Sequence, residues 1–270
     1  MKYYKIIVAA LLLGLSFSAC DKVEAPYKET IIVEVNRKVL LEDYTGHKCV
    51  NCPAAHEIAH ELQEIYGEDN LIMLAVHAGF FATPSAGDFS YDFNTVAGTE
   101  WVSYYSVEAY PSGMVDRMEY NGSPIIDKDK WASKIDEEFK KEASLGLSIE
   151  SSITDRKISG DISIDFAMDL NSQAKIQILI TEDSLIKPQV IPGGIDEEYV
   201  HMHVMRGAVN GSWGENLSAV SYSAGDKETI SFSNFAMGDD WVEKQLSVVA
   251  FVYDEESGVV LNVEKKKLSE

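Results

Sequence analysis

The feature that most constrains the fold is a pair of cysteines, Cys49 and Cys52, placed between a strand-like and a helix-like segment. Residues 38–44 have the apolar pattern of a strand, residues 53–66 have helical periodicity, and residues 71–77 form an apolar run typical of a buried strand. A strand, a crossover helix and a second strand in this order make a right-handed unit whose two strands are parallel. The sequence therefore predicts a mixed α/β segment with the cysteine pair at the start of its first helix.

The position of this pair predicts reactive thiols. A helix N-terminus carries partial positive charge and free backbone N–H groups, which favour a thiolate and lower its pKa. Cys49 would then be the attacking thiol, and Cys52, one turn inside the helix, the resolving thiol that closes the disulfide. A static disulfide and a metal-binding pair fit the same two residues. The residues alone leave these three interpretations open.

The region around the pair resembles the thioredoxin superfamily. Pro53 follows the second cysteine, as in many members, and Tyr110–Gly113 precedes a predicted strand where that fold keeps a cis-proline loop. The resemblance implies that Pro111 is the cis-proline that presents backbone groups to a substrate, and that Asp43 is the buried acid that helps to move protons to and from the resolving cysteine. The sequence departs from thioredoxin at Lys48, where thioredoxin has a tryptophan.

The first 30 residues predict export. Residues 1–19 have a basic start, an apolar run too short to span a bilayer, and small residues at the end, which is typical of a signal peptide. Leu15–Cys20 resembles the lipobox of bacterial lipoproteins, which implies that Cys20 becomes the acylated, palmitate-bearing N-terminus. Residues 20–30 would then be the lipidated N-terminus and a polar tether. An ordinary signal peptide with an incidental cysteine is the alternative.

The composition restricts the partners. The formal net charge is -21. The negative electrostatic field of such a charge repels nucleic acid and anionic lipid. We therefore expect no nucleic-acid partner and contact with the membrane only through the N-terminal lipid. Hydrophobic residues make up 46% of the chain, which is enough to build sizeable cores.

Two sequence patterns meet near residue 144. Residues 31–144 predict the α/β, thioredoxin-like domain, which would also contain a helix near 95–105, a strand at 113–119 and a helix at 129–143. Residues 145–270 lack convincing helices and predict an all-β domain, an immunoglobulin-like antiparallel sandwich. Its strand candidates are residues 145–150, 157–166, 175–181, 199–205, 229–232, 245–253 and 258–263.

Histidine motifs raise the question of a metal. His56, Glu57 and His60 match the H-E-x-x-H pattern of zinc proteases. The apolar stripe of the same helix predicts that both histidines face solvent instead of a cleft, which argues against that chemistry. His201 and His203 would alternate onto one face of a strand, but no third ligand can be identified. We therefore predict neither a metal nor a cofactor.

A more specific resemblance covers nearly the whole mature chain. Residues 40–55, 110–113 and 199–206 resemble the twenty-eight-kilodalton outer-membrane lipoprotein family of Gram-negative bacteria. The resemblance implies a lipid-anchored protein of the outer membrane, facing either the periplasm or the cell surface. It implies no settled activity, because the family is defined by location and sequence.

Two functions follow as hypotheses. In the first, the chain exchanges thiols and disulfides in envelope proteins through Cys49 and Cys52, with an electron donor or acceptor that the sequence does not encode. In the second, it is a non-enzymatic adhesion or interaction lipoprotein that keeps the thioredoxin fold as a scaffold while the C-terminal sandwich binds a host or polymer ligand. The altered residue Lys48 motivates the second hypothesis.

Overall fold

The computed structural model of the protein describes residues 34–268. The predicted signal peptide and the whole of the predicted lipidated tether, residues 20–30, lie outside these residues. The elements, in chain order, are β1 (Val39–Thr45), α1 (Cys52–Tyr66), β2 (Leu71–His77), α2 (Val96–Tyr104), β3 (Ser112–Val115), α3 (Trp131–Phe139), β4 (Leu145–Thr154), β5 (Lys157–Phe166), β6 (Ala174–Glu182), β7 (Leu185–Ile186), β8 (Gln189–Ile191), β9 (Gly194–Asp196), β10 (Val200–His201), β11 (Val204–Ala208), β12 (Glu215–Asn216), β13 (Lys227–Ala236), β14 (Leu246–Asp254) and β15 (Val260–Lys267).

The predicted strand–helix–strand unit is present. Strands β1 and β2 are parallel, with Val39 opposite Leu71 and Thr45 opposite His77, and β3 pairs antiparallel with β1. Helices α1 and α3 pack on one face of these strands and α2 on the other. Because β1 and β2 are buried on both faces, their sequences are apolar runs, as expected for strands between two helical layers.

Five strands of the second half, β6, β11, β12, β14 and β15, join the same sheet. The main sheet has the order β15-β14-β6-β11-β2-β1-β3, and β12 pairs with β6. A separate antiparallel sheet, β13-β5-β4, packs against β6 and β14 through a shared core. The chain therefore has a mixed α/β N-terminal part and a mostly β C-terminal part, as the coarse prediction stated.

Strands from both sides of the predicted boundary at residues 144 and 145 share one sheet. The junction is a single parallel pairing of Val204 on β11 with Ala75 on β2. Residues 34–268 belong to one compact unit. Elements from the far half of the sequence can therefore reach the region of the cysteine pair.

For three of the elements that differ from their predicted lengths, the structure gives the reason. Strand β3 ends at Val115 because Asp116 and Arg117 adopt positive φ values of 48° and 54°, which an extended strand cannot contain. The predicted strand 199–205 is broken into β10 and β11 by His203, whose φ is 56°. Helix α3 ends at Phe139, four residues earlier than predicted, after its last apolar contact with the β1–β3 layer.

Candidate functional site

A disulfide joins Cys49 and Cys52 at the start of α1. Cys49 is 2% exposed and Cys52 is fully buried. Pro53 occupies the first turn of the helix, where its missing N–H costs no hydrogen bond. The pair therefore lies between a buried strand and a helix N-terminus, as predicted.

Asp43 lies on β1 and contacts a histidine from α1. Its side chain is 4% exposed, and its Oδ2 atom lies 3.3 Å from Nε2 of His56. The same nitrogen lies 3.0 Å from Oγ1 of Thr45, and Nδ1 of His56 lies 2.7 Å from the hydroxyl of Tyr199. Asp43 is thus a buried carboxylate with an imidazole beside it.

The prediction that both histidines of the H-E-x-x-H motif face solvent is wrong for His56. The side chain of His56 is 21% exposed, whereas that of His60, one turn further along α1, is 67% exposed and pairs with Glu64. The apolar stripe of the helix was a correct guide to the core, but Tyr199 from a distant segment covers the flank on which His56 lies.

The predicted proline loop borders β3, and the Tyr110–Pro111 peptide bond is cis. The side chain of Ser112 donates a hydrogen bond to the carbonyl of Ala109, which closes the loop. The ring of Tyr110 packs edge-on against Phe81, 5.6 Å between centroids. Whether Pro111 presents its backbone to a substrate stays a prediction.

The loop that carries Phe80 and Phe81 lies against the cysteine segment. The backbone N–H of Lys48 donates to the carbonyl of Phe81, and a Cβ atom at Gly46 would lie 2.5 Å from the carbonyl carbon of Phe81. Glycine is therefore required at position 46 for this approach. The ammonium of Lys48 lies 5.3 Å from the ring centroid of Phe80, which is 77% exposed. Val50, the residue after Cys49, is 41% exposed. Lys48 thus helps to form an apolar and cationic surface next to the disulfide.

A segment from the second half of the chain covers the other side of the pair. The β8–β9 hairpin is anchored by the N–H of Val190, which donates to the carbonyl of His47 over 2.8 Å. The buried amide of Gln189 donates to the carbonyl of Cys49 over 3.0 Å. The sequence analysis did not find this contact, because two residues 140 positions apart leave no local signal.

Buried histidines cluster around Phe93 on the same side of the sheet. The ring of Phe93 lies 4.4 Å from that of His77, 4.8 Å from that of His201 and 5.2 Å from that of His47. Burial lowers the pKa of His201 to about 3 and that of His47 to about 4. Burial likewise lowers the pKa of His77. These imidazoles are therefore neutral at physiological pH.

His203 does not share a strand face with His201, contrary to prediction. Its positive φ turns it away, and its Nδ1 atom lies 3.1 Å from Asp183 and 3.3 Å from the ammonium of Lys265. Within residues 34–268, no group of three or more His, Cys, Asp or Glu side chains is placed to hold a metal ion.

A cavity of about 360 Å³ opens beside these histidines. His56 and Tyr199 form part of its wall, together with His77 and His201. Its volume is within the range of small-ligand sites. Through His56 in its wall, the cavity reaches the neighbour of the Asp43 carboxylate.

A second cleft, of about 530 Å³, lies between α2 and the end of β14 and has aromatic walls. Tyr104 is 70% exposed, and its ring lies 4.8 Å from that of Trp213 and 5.0 Å from that of Tyr105. The hydroxyl of Tyr253 donates to the carbonyl of Trp213 over 2.5 Å. Arg117 lies beneath them, 5.6 Å from the ring centroids of Tyr105 and Tyr253.

None of the helices within residues 34–268 is both long and apolar enough to cross a membrane. No curated protein matches the chain. Among solved structures, HBP35 of Porphyromonas gingivalis is 17% identical, with a TM-score of 0.66 over 88% of this chain and 77% of that chain. Protein AGR_C_4864 from Agrobacterium tumefaciens is 13% identical, with a TM-score of 0.53 over 88% of this chain and 97% of that chain. These two likenesses concern the fold alone.

A domain of the outer membrane lipoprotein Omp28 from Porphyromonas gingivalis is 21% identical, with a TM-score of 0.33 over 47% of this chain and 90% of that chain. The family model of outer membrane protein Omp28 matches residues 99–270. This match runs from α2 through the whole β-rich part and covers more than half of the sequence. The chain therefore belongs to the Omp28 family of outer-membrane lipoproteins, and it is located at the outer membrane, as predicted.

Proposed function

We propose that this outer-membrane lipoprotein exchanges thiols and disulfides in envelope proteins, with the N-terminal part acting as a thioredoxin-like domain. The observation that carries the proposal is the disulfide between Cys49 and Cys52 at the N-terminus of α1, with the buried Asp43 behind it and the cis Tyr110–Pro111 bond in the loop before β3. A helix N-terminus stabilises the thiolate that this chemistry needs.

The reaction of the reduced protein has two steps. The Cys49 thiolate attacks a disulfide of the substrate, forms a mixed disulfide and releases one substrate thiolate. Cys52 then loses its proton to Asp43 and attacks the sulfur of Cys49, which releases the second thiolate and closes the disulfide. Two electrons pass to the substrate, and a thiol reductant of the envelope must return them. Pro111 positions the substrate beside Cys49.

An insulin-reduction assay with dithiothreitol as donor tests this proposal on the full mature chain. We expect the wild type to accelerate insulin precipitation and Cys49→Ser to abolish the acceleration. Because Cys49 is 2% exposed, a small substrate, bis(2-hydroxyethyl) disulfide, is measured in parallel. Equal and negligible turnover of both substrates by both proteins would refute the proposal.

The aromatic cleft favours a second candidate function, that of an interaction or adhesion lipoprotein. Exposed Tyr104 with Trp213 offers ring faces, which pack well against apolar surfaces such as the face of a sugar ring. The cleft also contains the carboxylates of Glu119, Glu255 and Glu256, which accept hydrogen bonds and repel anions. A neutral polymer such as an oligosaccharide fits this chemistry.

Tryptophan fluorescence of the full mature chain, titrated with maltohexaose and with hexa-N-acetylglucosamine, tests the second candidate. Saturable quenching that is lost in Tyr104→Ala and retained in Cys49→Ser would support it and separate it from the redox site. Absence of a saturable change with both sugars would count against it.

The lipid on Cys20, which lies outside the described residues, stays a prediction. Its test is a comparison of acylation in the wild type and in Cys20→Ala, which should lose the lipid.

A further inference from the structure

We propose that His56 and Tyr199 form the proton path between Asp43 and water in the histidine-lined cavity, and that they set the rate at which Cys52 resolves a mixed disulfide. This inference rests on the proposed thiol–disulfide exchange. It adds two positioning residues to the proposed mechanism. His56 comes from the H-E-x-x-H motif, and Tyr199 lies more than 140 positions further along the chain.

The path is required because the proton acceptor is buried. Cys52 is fully buried and the Asp43 side chain is 4% exposed, so a proton that Cys52 gives to Asp43 cannot pass directly to bulk water. Asp43 pairs with Ala75 on β2, so its strand neighbour offers no ionisable side chain. Within residues 34–268, the basic side chain within 4.0 Å of the Asp43 carboxylate is that of His56, at 3.3 Å.

The geometry connects the helix, the acid and the cavity. His56 lies four residues after Cys52 on α1, so the two side chains share one face of the helix. Its Nε2 atom is 3.3 Å from Asp43 and its Nδ1 atom is 2.7 Å from the Tyr199 hydroxyl. Both His56 and Tyr199 line the cavity of about 360 Å³, which is large enough to hold several water molecules.

The proton moves in the resolving step as follows. Cys52 gives its proton to Asp43, and the Cys52 thiolate attacks Sγ of Cys49, so that the Cys49–Cys52 bond forms and the Cys49–substrate bond breaks. The proton on Asp43 passes to Nε2 of His56 as the Nδ1 proton passes to the oxygen of Tyr199, whose own hydroxyl proton passes to water. The released substrate thiolate takes up a proton from water. Electrons and protons balance without a further reagent.

The groups around His56 suit a proton relay. Asp43 faces His56 from β1 and Tyr199 faces it from the segment before β10. The nearby imidazoles of His77 and His201 are neutral because burial lowers their pKa values. Burial raises the pKa of Tyr199 to about 12, so its hydroxyl keeps its proton and can both accept and donate.

The resolving step can be measured by itself. Reduced protein is mixed with 5,5′-dithiobis(2-nitrobenzoate), and stopped-flow absorbance separates the first thiolate release, due to Cys49, from the second, due to Cys52. The variants are His56→Gln, Tyr199→Phe and, as a matched control on the same helix, His60→Gln, whose side chain is 67% exposed in the wild type.

We expect His56→Gln to slow the second release by at least about tenfold, in line with the loss of a general acid–base group, and to leave the first release nearly unchanged. Tyr199→Phe, which keeps the ring, should slow the same step, and His60→Gln should not. In His56→Ala, added imidazole should restore part of the rate, and the pH profile of the second release should change only in the His56 and Tyr199 variants.

Two failures are distinguishable. If the wild type itself shows no second release, the proposed thiol exchange is wrong. If the wild type resolves normally and His56→Gln and Tyr199→Phe resolve at the same rate as His60→Gln, the relay is wrong and the exchange stands. If His56→Gln does not fold, Tyr199→Phe, which keeps the ring, decides the question by the same comparison with His60→Gln.

Discussion

Acidification should destabilise this protein through His201, and the effect can be isolated by one substitution. His201 is 1% exposed, and burial lowers its pKa from 6.5 to about 3. In the unfolded chain the same side chain titrates near its ordinary value. Between these two pKa values the unfolded state binds one more proton than the folded state, so stability is present above pH 6.5 and is lost as the pH falls toward 3.

The magnitude follows from the proton linkage. Each pH unit between the two pKa values is worth about 1.36 kcal/mol per proton. Lowering the pH from about 7.5 to about 5 crosses roughly 1.5 units of this window, so His201 should account for about 2 kcal/mol of lost stability. That is a large part of the total stability of a typical domain.

Asp116 acts in the opposite direction, because burial raises its pKa to about 7 and a carboxyl with a raised pKa gains stability as the pH falls. The test therefore compares the change in the free energy of unfolding with pH between two proteins that both retain Asp116, so that its contribution cancels. Urea unfolding of the wild type and of His201→Gln is measured at both pH values. Glutamine can still donate to the carbonyl of Lys187, the partner of the imidazole over 3.2 Å.

We expect the free energy of unfolding to fall by about 2 kcal/mol more in the wild type than in His201→Gln. The exposed control His60→Gln should keep the pH dependence of the wild type. An identical fall in the wild type and in His201→Gln would refute the reasoning, because it would mean that His201 is not held neutral by burial.

Further predictions concern the core and the cover of the disulfide. Arg117 makes a bidentate ion pair with buried Glu42, at 2.8 and 2.7 Å. Arg117→Met should lower the free energy of unfolding in urea by about 3–5 kcal/mol, because it leaves a buried carboxylate without a partner. The second replacement Glu42→Leu, added to Arg117→Met, should recover part of this loss. Trp131 is fully buried between α3 and the sheet; Trp131→Ala should cost about 3–5 kcal/mol, and a loss under about 1 kcal/mol would contradict this packing. Gln189→Ala removes the donor to the Cys49 carbonyl; reduction of the disulfide by a small phosphine should accelerate by up to about tenfold, the worth of one hydrogen bond, and an unchanged rate would show that the hairpin does not restrict access.

Much of the fold near the site is local and could be predicted. The start of α1 follows from Cys49, Cys52 and Pro53, and β2 has the predicted bounds, residues 71–77. Periodicity over a few residues encodes such elements, because each side chain reports which face of its own element is buried. The end of β3 was missed, because the positive φ values of Asp116 and Arg117 are imposed by tertiary contacts such as the pair with Glu42.

The environment of the thiol pair depends on contacts between distant residues. The orientation of His56 was predicted from its own helix, and it differs because Tyr199, 143 positions later, covers that flank. The cover by Gln189 arises in the same way, since the single pairing of Val204 with Ala75 brings the second half of the chain to β2. No periodicity or spacing along the sequence could indicate these neighbours.

By itself, the sequence determined that a cysteine pair begins a helix after a buried strand and that a proline loop precedes β3, and its resemblance to a lipoprotein family indicated the outer membrane. These properties depend on residue type and local order. Only the tertiary structure decided that the pair is covered, that His56 contacts Asp43, and that Tyr199 continues the contact to a cavity. Those facts depend on which distant strands share one sheet, because the sheet, and not the sequence separation, fixes which side chains meet.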